Sequence, residues 1–60
     1  MRALVVEKKK IKLVDFLKEN EIDDKYIIAV NGQVVQKSEV EEIEISEKDT
    51  VLVFPKIFGG

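Results

Sequence analysis

The sequence predicts an α+β domain in which one helix crosses one face of a small mixed sheet. Apolar residues at positions 13, 14, 16 and 17 have helical spacing, and they lie within residues 11–20. The Asn31-Gly32 pair separates two strand-like runs and is a strong hairpin signal, because both residues tolerate positive φ. Residues 50–54 form the most apolar run of the chain, which favours a central strand.

The elements follow in the order strand, helix, hairpin, strand. Residues 3–6 are a short apolar run typical of a buried strand, and we expect Asn20 to end the helix in a left-handed conformation. Residues 26–30 are rich in β-branched and aromatic side chains, which favour strands, and residues 33–35 return as the hairpin partner. Since a crossover helix joins parallel strands, we expect the first strand to lie beside the last one in parallel.

Three segments between these elements carry weaker signals. Residues 11–13 either begin the helix or form a vestigial strand that pairs back on residues 5–6. Residues 38–42 are acidic, and we expect them to be irregular. Ile43 and Ile45 alternate with polar residues, which predicts a short, half-exposed segment.

Composition and charge narrow the class of protein. The 60 residues suffice for one small domain, and the chain has no cysteine and no histidine, so we expect no disulfide and no metal site. The net charge of −2 argues against nucleic acid or an anionic membrane as the main partner. The apolar runs fall far short of the ~20 residues of a membrane helix, and we expect a cytoplasmic protein.

The last five residues are hard to explain by folding. We divide the chain into a domain at residues 1–55 and a flexible tail at residues 56–60, which could extend about 17 Å. Gly59 and Gly60 carry no side chain that would block entry of a carboxylate into a narrow pocket on another protein. A frayed terminus is the alternative interpretation, although the apolar pair Ile57 and Phe58 is unusual for one.

Two segments carry a family resemblance. Residues 30–35 (Val-Asn-Gly-Gln-Val-Val) and 49–60 (Asp-Thr-Val-Leu-Val-Phe-Pro-Lys-Ile-Phe-Gly-Gly) resemble the ThiS/MoaD family of ubiquitin-like sulfur carriers. Residues 13–20 resemble the single helix of that family, so the resemblance covers about residues 11–60. It implies a β-grasp fold, here with a first hairpin that is shortened or lacks its second strand.

The resemblance also implies a mechanism in which the carboxylate of Gly60 is adenylated and then converted to a thiocarboxylate that donates sulfur. Gly59, which has no side chain, would keep the tail narrow next to Gly60, while Ile57 and Phe58 would anchor in the channel of the enzyme. A terminal carboxyl has a reference pKa of about 3.5 and is a poor electrophile at neutral pH. The chain has no glycine-rich phosphate loop. We therefore expect no bound cofactor, and the chain to be a co-substrate rather than an enzyme.

The implied partners are other proteins. A ubiquitin-activating-type adenylyltransferase (ThiF/MoeB-like) would use the ATP, and a thiazole synthase or the large subunit of molybdopterin synthase would accept the sulfur. The short length and residues 31–35 resemble carriers of the thiamine pathway, whereas the Phe-Pro pair before the tail resembles carriers of the molybdopterin pathway. Of the two, we favour the thiamine pathway. Carriers for transfer-RNA thiolation share the tail. A ubiquitin-like protein modifier and a plain interaction domain are the alternatives of other classes.

Two surfaces are expected to meet partners. Alternate residues of a strand face opposite sides, and we expect Leu52 and Phe54 to face away from the helix, as an apolar patch for the activating enzyme. Loss of the second strand would expose the edge of residues 3–6, and we expect a homodimer through that edge. We interpret Asp49 as fixing the turn before the last strand, and two charged segments as solvated surface: residues 8–10 and the glutamates Glu39, Glu41, Glu42 and Glu44.

Overall fold

The computed structural model describes residues 2–56. Within them the chain forms a domain of short strands, one α-helix and one 3₁₀ helix. In chain order the elements are β1 (Arg2–Val5), β2 (Ile11–Lys12), α1 (Leu13–Glu19), β3 (Tyr26–Val30), β4 (Gln33–Val35), the 3₁₀ helix η1 (Lys37–Glu42), β5 (Glu44–Ile45) and β6 (Thr50–Pro55).

The main sheet has the strand order β1-β6-β3-β4, and its neighbouring strands are antiparallel. The prediction that the first strand lies beside the last is confirmed, but the predicted parallel direction is wrong, and the sheet is antiparallel rather than mixed. The reason is that β1 and β3 run parallel to each other with β6 between them. The crossover through the helix therefore joins β1 to β3, and β6 returns antiparallel to both.

Strand β2 pairs with β5 and not with β1. Ile11 lies opposite Ile45, so the predicted pairing back on residues 5–6 is wrong, and the first hairpin lacks its second strand as expected. Ile11 and Ile45 are both buried in the core, and Leu13 N–H donates to Ile43 O at 2.9 Å. Burial of both isoleucines draws this segment away from β1, and the helix begins at Leu13.

The core lies between α1 and the inner face of the sheet. The helix contributes Leu13, Phe16 and Leu17, which share one side because residues three and four apart lie on one helix face. Full burial of one such side chain contributes about 1.5–3 kcal/mol. The buried core residues are Val6, Ile11, Leu13, Phe16, Leu17, Ile22, Ile28, Ile45, Val51 and Val53.

The residue with the left-handed conformation at the end of the helix is not the one predicted. Asn20 has φ −98°, and the left-handed residue is Glu21 with φ 58°. Glu21 N–H donates to Lys18 O at 3.1 Å, and Ile22 N–H donates to Leu17 O at 2.8 Å. This is the Schellman pattern, and it requires positive φ at the residue after Asn20. Burial of Ile22 in the core fixes that position.

The acidic segment after β4 is a 3₁₀ helix, so the prediction of an irregular segment is wrong. Gln36 N–H donates to Glu39 Oε1 at 2.9 Å, and the backbone N–H of Glu39 donates to Gln36. This reciprocal capping box satisfies the backbone donors at the helix start. Val40 and Ile43 pack against the core from this segment, so η1 has an apolar side. That side is hard to recognise in a sequence with so many glutamates.

The β3–β4 turn is fastened to the start of β6. Asn31 and Gly32 have φ 53° and 85°, as predicted for a two-residue hairpin. Asn31 Nδ2 donates to Asp49 Oδ1 at 2.8 Å, and Asn31 Oδ1 accepts from Thr50 N–H at 2.9 Å. Ser46 N–H donates to Asp49 Oδ2 at 2.7 Å. The hydrogen bond from Asn31, and then that from the Ser46 backbone, lower the pKa of Asp49. Its predicted structural role is confirmed.

The left-handed residue can be tested by substitution. Glu21→Gly should raise the free energy of unfolding by about 0.5–1 kcal/mol, because glycine adopts positive φ without steric cost. Asn20→Gly is the matched control. It should lower the same quantity by about 1 kcal/mol, since it removes the hydrogen bond from Asn20 Nδ2 to Phe16 O. Urea unfolding measures both, and the opposite ranking would contradict the assignment.

The carboxylate of Asp49 should make stability depend on pH. Asp49→Asn is expected to lower the free energy of unfolding at neutral pH. The carboxylate accepts hydrogen bonds at both of its oxygens, whereas an amide has only one acceptor oxygen. The pKa in the folded state lies below the ordinary value of 3.8. The wild-type advantage is therefore present above that value and is lost as the pH falls through the folded pKa.

Urea unfolding of wild type and Asp49→Asn over a pH series measures this difference. Glu47→Gln, an exposed position in the same turn, is the control and should track wild type throughout. An advantage of wild type over Asp49→Asn that stays constant into acid would exclude the carboxylate as its source.

Candidate functional site

Strand β6 presents one face to the core and the other to the surroundings. Val51 and Val53 are fully buried against the helix side, at 0% and 2% exposure. Leu52 and Phe54 alternate with them and are half-buried on the opposite side. The structure thus places both residues away from the helix, as the alternation predicted. Their part in binding a partner stays a prediction.

Apolar side chains from neighbouring strands extend this surface, which we name the outer face. Ala3 lies opposite Leu52, Leu52 opposite Ala29, and Ala29 opposite Val34. Directly opposite residues share a face, so these residues form one row across all four strands. In a second row Ile27 lies opposite Phe54.

Part of the outer face was missed in the sequence. Ile27 and Val34 are 37% and 65% exposed, although the sequence pattern identifies both only as strand residues. The signal was present, because Ile27 and Ala29 alternate with Ile28 in the same way as Leu52 and Phe54 alternate with Val53. Sequence alone did not show which strands are neighbours, so the residues could not be assembled into one surface.

The chain leaves the sheet beside the start of β3. Pro55 lies opposite Tyr26, and Lys56 N–H donates to Lys25 O at 3.1 Å. The backbone of Lys56, which we predicted as the first tail residue, is therefore held by the sheet. The remaining tail residues, Ile57, Phe58, Gly59 and Gly60, lie outside the described residues.

Three basic residues lie near this end of β6. Arg2 lies opposite Val53 at the start of β1, and Lys25 and Lys56 are joined through their backbones. All three side chains are exposed. Lys25 N–H also donates to Asp23 Oδ1 at 2.9 Å, so an acidic residue lies beside them. The three basic residues are far apart in sequence, so no local motif indicated the cluster.

The other charged segments have structural partners. Lys8 Nζ lies 2.8 Å from Glu19 Oε2, and Lys10 Nζ lies 3.6 Å from Glu44 Oε1. Glu39 closes the capping box of η1. Exposed ion pairs of this kind contribute less than about 1 kcal/mol each, and the four glutamates are exposed. Both segments fit the predicted solvated surface.

Metal binding and membrane crossing are two further possibilities for residues 2–56. No group of three or more acidic side chains is placed to hold a metal ion within that range. No helix of the same part of the chain is long and apolar enough to cross a membrane. What the described residues do offer is the apolar outer face, on the strand that leads to Gly59 and Gly60.

Comparison with known proteins gives one family. No curated protein and no solved structure matches the chain. The ThiS family model matches residues 2–60, which adds the first strand to the range covered by the resemblance. Members of that family are small β-grasp proteins that carry sulfur and interact with an adenylyltransferase and a sulfur acceptor. The chain therefore belongs to the ThiS family of sulfur carriers, and its sheet crossed by a single helix is a β-grasp fold.

Proposed function

We propose that this chain carries sulfur as a thiocarboxylate on Gly60. The family match over residues 2–60 supports the carrier role, and the single structural observation behind the proposal is the position of β6. This strand is central in the sheet, and it leads directly towards the two glycines. Partner enzymes then bind the folded domain and thereby orient the reactive chain end.

The chemistry requires activation by a partner. An ionised carboxylate resists attack by a nucleophile. Its attack on the α-phosphate of ATP releases pyrophosphate and creates an acyl-adenylate with a good leaving group. Sulfide supplied by a partner then displaces AMP from the carbonyl carbon of Gly60 and leaves the thiocarboxylate. Glycine at positions 59 and 60 keeps the carbonyl open to both reactants, because neither residue has a side chain.

The outer face is the proposed docking surface for a ThiF/MoeB-like adenylyltransferase. Leu52 and Phe54 lie on the strand that leads to the tail, and Ile57 and Phe58 would continue the contact into the enzyme channel. Gly60 lies six positions after Phe54, a span of up to about 20 Å when extended. The active site of the partner would therefore lie within about 20 Å of the bound outer face, and an acidic rim would meet Arg2, Lys25 and Lys56.

The proposed sulfur acceptor is a thiazole synthase of thiamine synthesis. The large subunit of molybdopterin synthase and a transfer-RNA thiolation enzyme are the alternatives. We place the reaction in the cytoplasm, since it consumes ATP. We propose no bound cofactor for this chain, because ATP is held by the activating enzyme.

Intact-mass measurement tests the carrier chemistry. The chain is incubated with a ThiF/MoeB-like enzyme, ATP and a sulfur donor. We expect a gain equal to the mass difference between sulfur and oxygen. A variant that lacks Gly60 should fold identically by circular dichroism and show no gain. A gain that persists in this variant would contradict the proposal, and conjugates joined to lysines would favour the protein modifier instead.

Substitution on the outer face tests the docking surface. Phe54→Ala should lower kcat/KM for adenylation of this chain about 10- to 100-fold, as expected for truncation of an aromatic anchor. Lys48→Ala is the control, because this exposed residue lies beyond the opposite end of β6, and it should leave the rate unchanged. Urea unfolding confirms that both variants remain folded. Equal rates for the two variants would exclude the outer face as the docking site.

A further inference from the structure

The edge of β1 that faces away from β6 carries no strand within residues 2–56. The order β1-β6-β3-β4 places β1 at the border of the sheet, and β2 pairs with β5 instead. Val5 is 80% exposed. Along a border strand the backbone N–H and C=O groups on one side point outward and are free to pair with another strand.

This edge has few of the features that usually discourage pairing. Natural edges are protected by proline, by a bulge, by charged side chains or by a very short strand, and here the one charged side chain, Arg2, is at the beginning of β1. The sequence of β1 is Arg-Ala-Leu-Val, and its register with β6 is unbroken from Arg2 to Val5. Lys8 and Lys10 lie beyond the strand and contact Glu19 and Glu44, so these two side chains are directed towards α1 and β5.

The opposite border of the sheet is shorter. Strand β4 has three residues and is soon followed by η1. Glu39 and Ile43 line a shallow groove together with Gln33–Val35. Strand β1, with four residues, is the longer of the two borders.

We propose that β1 pairs with β1 of a second copy of this chain, antiparallel about a two-fold axis at Leu4. The two four-stranded sheets then join into one continuous sheet. Opposite residues must share a face, which requires the axis to pass through a residue. An axis at Leu4 sets Ala3 against Val5 of the second copy and Leu4 against Leu4.

A second copy fits this edge because the pairing is self-complementary. Each exposed Val5 is covered by the small Ala3 of the other chain, and the two outer faces become one apolar surface. Each copy has a net charge of only −2, so repulsion is small. The edge is four residues long and buries well below the ~1,200 Å² of a stable interface, so we expect a dissociation constant on the order of 100 µM.

The dimer leaves both chain ends accessible. The end of β6 lies beside the start of β1, since Arg2 is opposite Val53. In an antiparallel pair the two β1 starts are at opposite ends, so the ends of the two β6 strands lie at opposite ends of the joined sheet. Pairing at this edge also leaves the outer faces uncovered. The proposal is independent of the sulfur chemistry, and either can fail without the other.

Sedimentation velocity over a concentration series up to about 1 mM, well above the expected dissociation constant, tests the dimer. Two double variants test the register. A3K/V5K sets lysine against lysine across the axis, whereas A3K/V5E sets lysine against glutamate at the same positions. We expect at least a tenfold weaker dimer for A3K/V5K than for A3K/V5E. Val34→Lys, at an exposed valine of the other border strand, is the matched control and should dimerise like wild type.

Amide hydrogen exchange of the wild-type chain supplies a readout that does not depend on the variants. Protection of residues 2–5 should rise with concentration, while protection in β4 should not. A strictly monomeric wild type overturns the proposal. A dimer that is lost in Val34→Lys, or one that is equally strong in both double variants, overturns it as well.

Discussion

Strand β6 forms hydrogen-bonded ladders with β1 on one side and β3 on the other, and the rest of the fold depends on this double pairing. Its start is fastened to the hairpin by the Asn31–Asp49 hydrogen bond, and its end is extended by the bond from Lys56 N–H to Lys25 O. Its inner side chains meet α1 and its outer side chains face away. Strand β6, which leads to Gly59 and Gly60, is therefore fixed at both of its ends and along both of its edges.

Alternation along β6 separates the core from the outer face. Val51 and Val53 belong to the core, so their replacement by smaller residues creates cavities in a domain of low stability. Leu52 and Phe54 lie one residue away on the other side and can be exchanged at smaller cost to the core. The outer face of this domain can therefore change without a change in core packing.

Local signals in the sequence predicted the local structure well. Positive φ at the Asn31-Gly32 turn and the outward position of Leu52 both follow from rules that involve one or two residues. Features that depend on tertiary contacts were predicted less well. The direction of β1, the pairing of β2 with β5 and the positive φ of Glu21 are each set by packing of residues distant in sequence. The basic cluster at the chain exit and the full outer face need strand order before they can be recognised.

The reduced first hairpin links the stability of the domain to its surface. Ile11 is buried opposite Ile45, and in that position it strengthens a core that 60 residues can only just form. The same placement removes the strand that would have covered β1. The segment after residues 7–10 pairs with β5 through Ile11 and Ile45, and not with β1. The exposed border of the sheet is therefore a direct consequence of how the core is completed, and any substitution that frees Ile11 from Ile45 should also alter what β1 can bind.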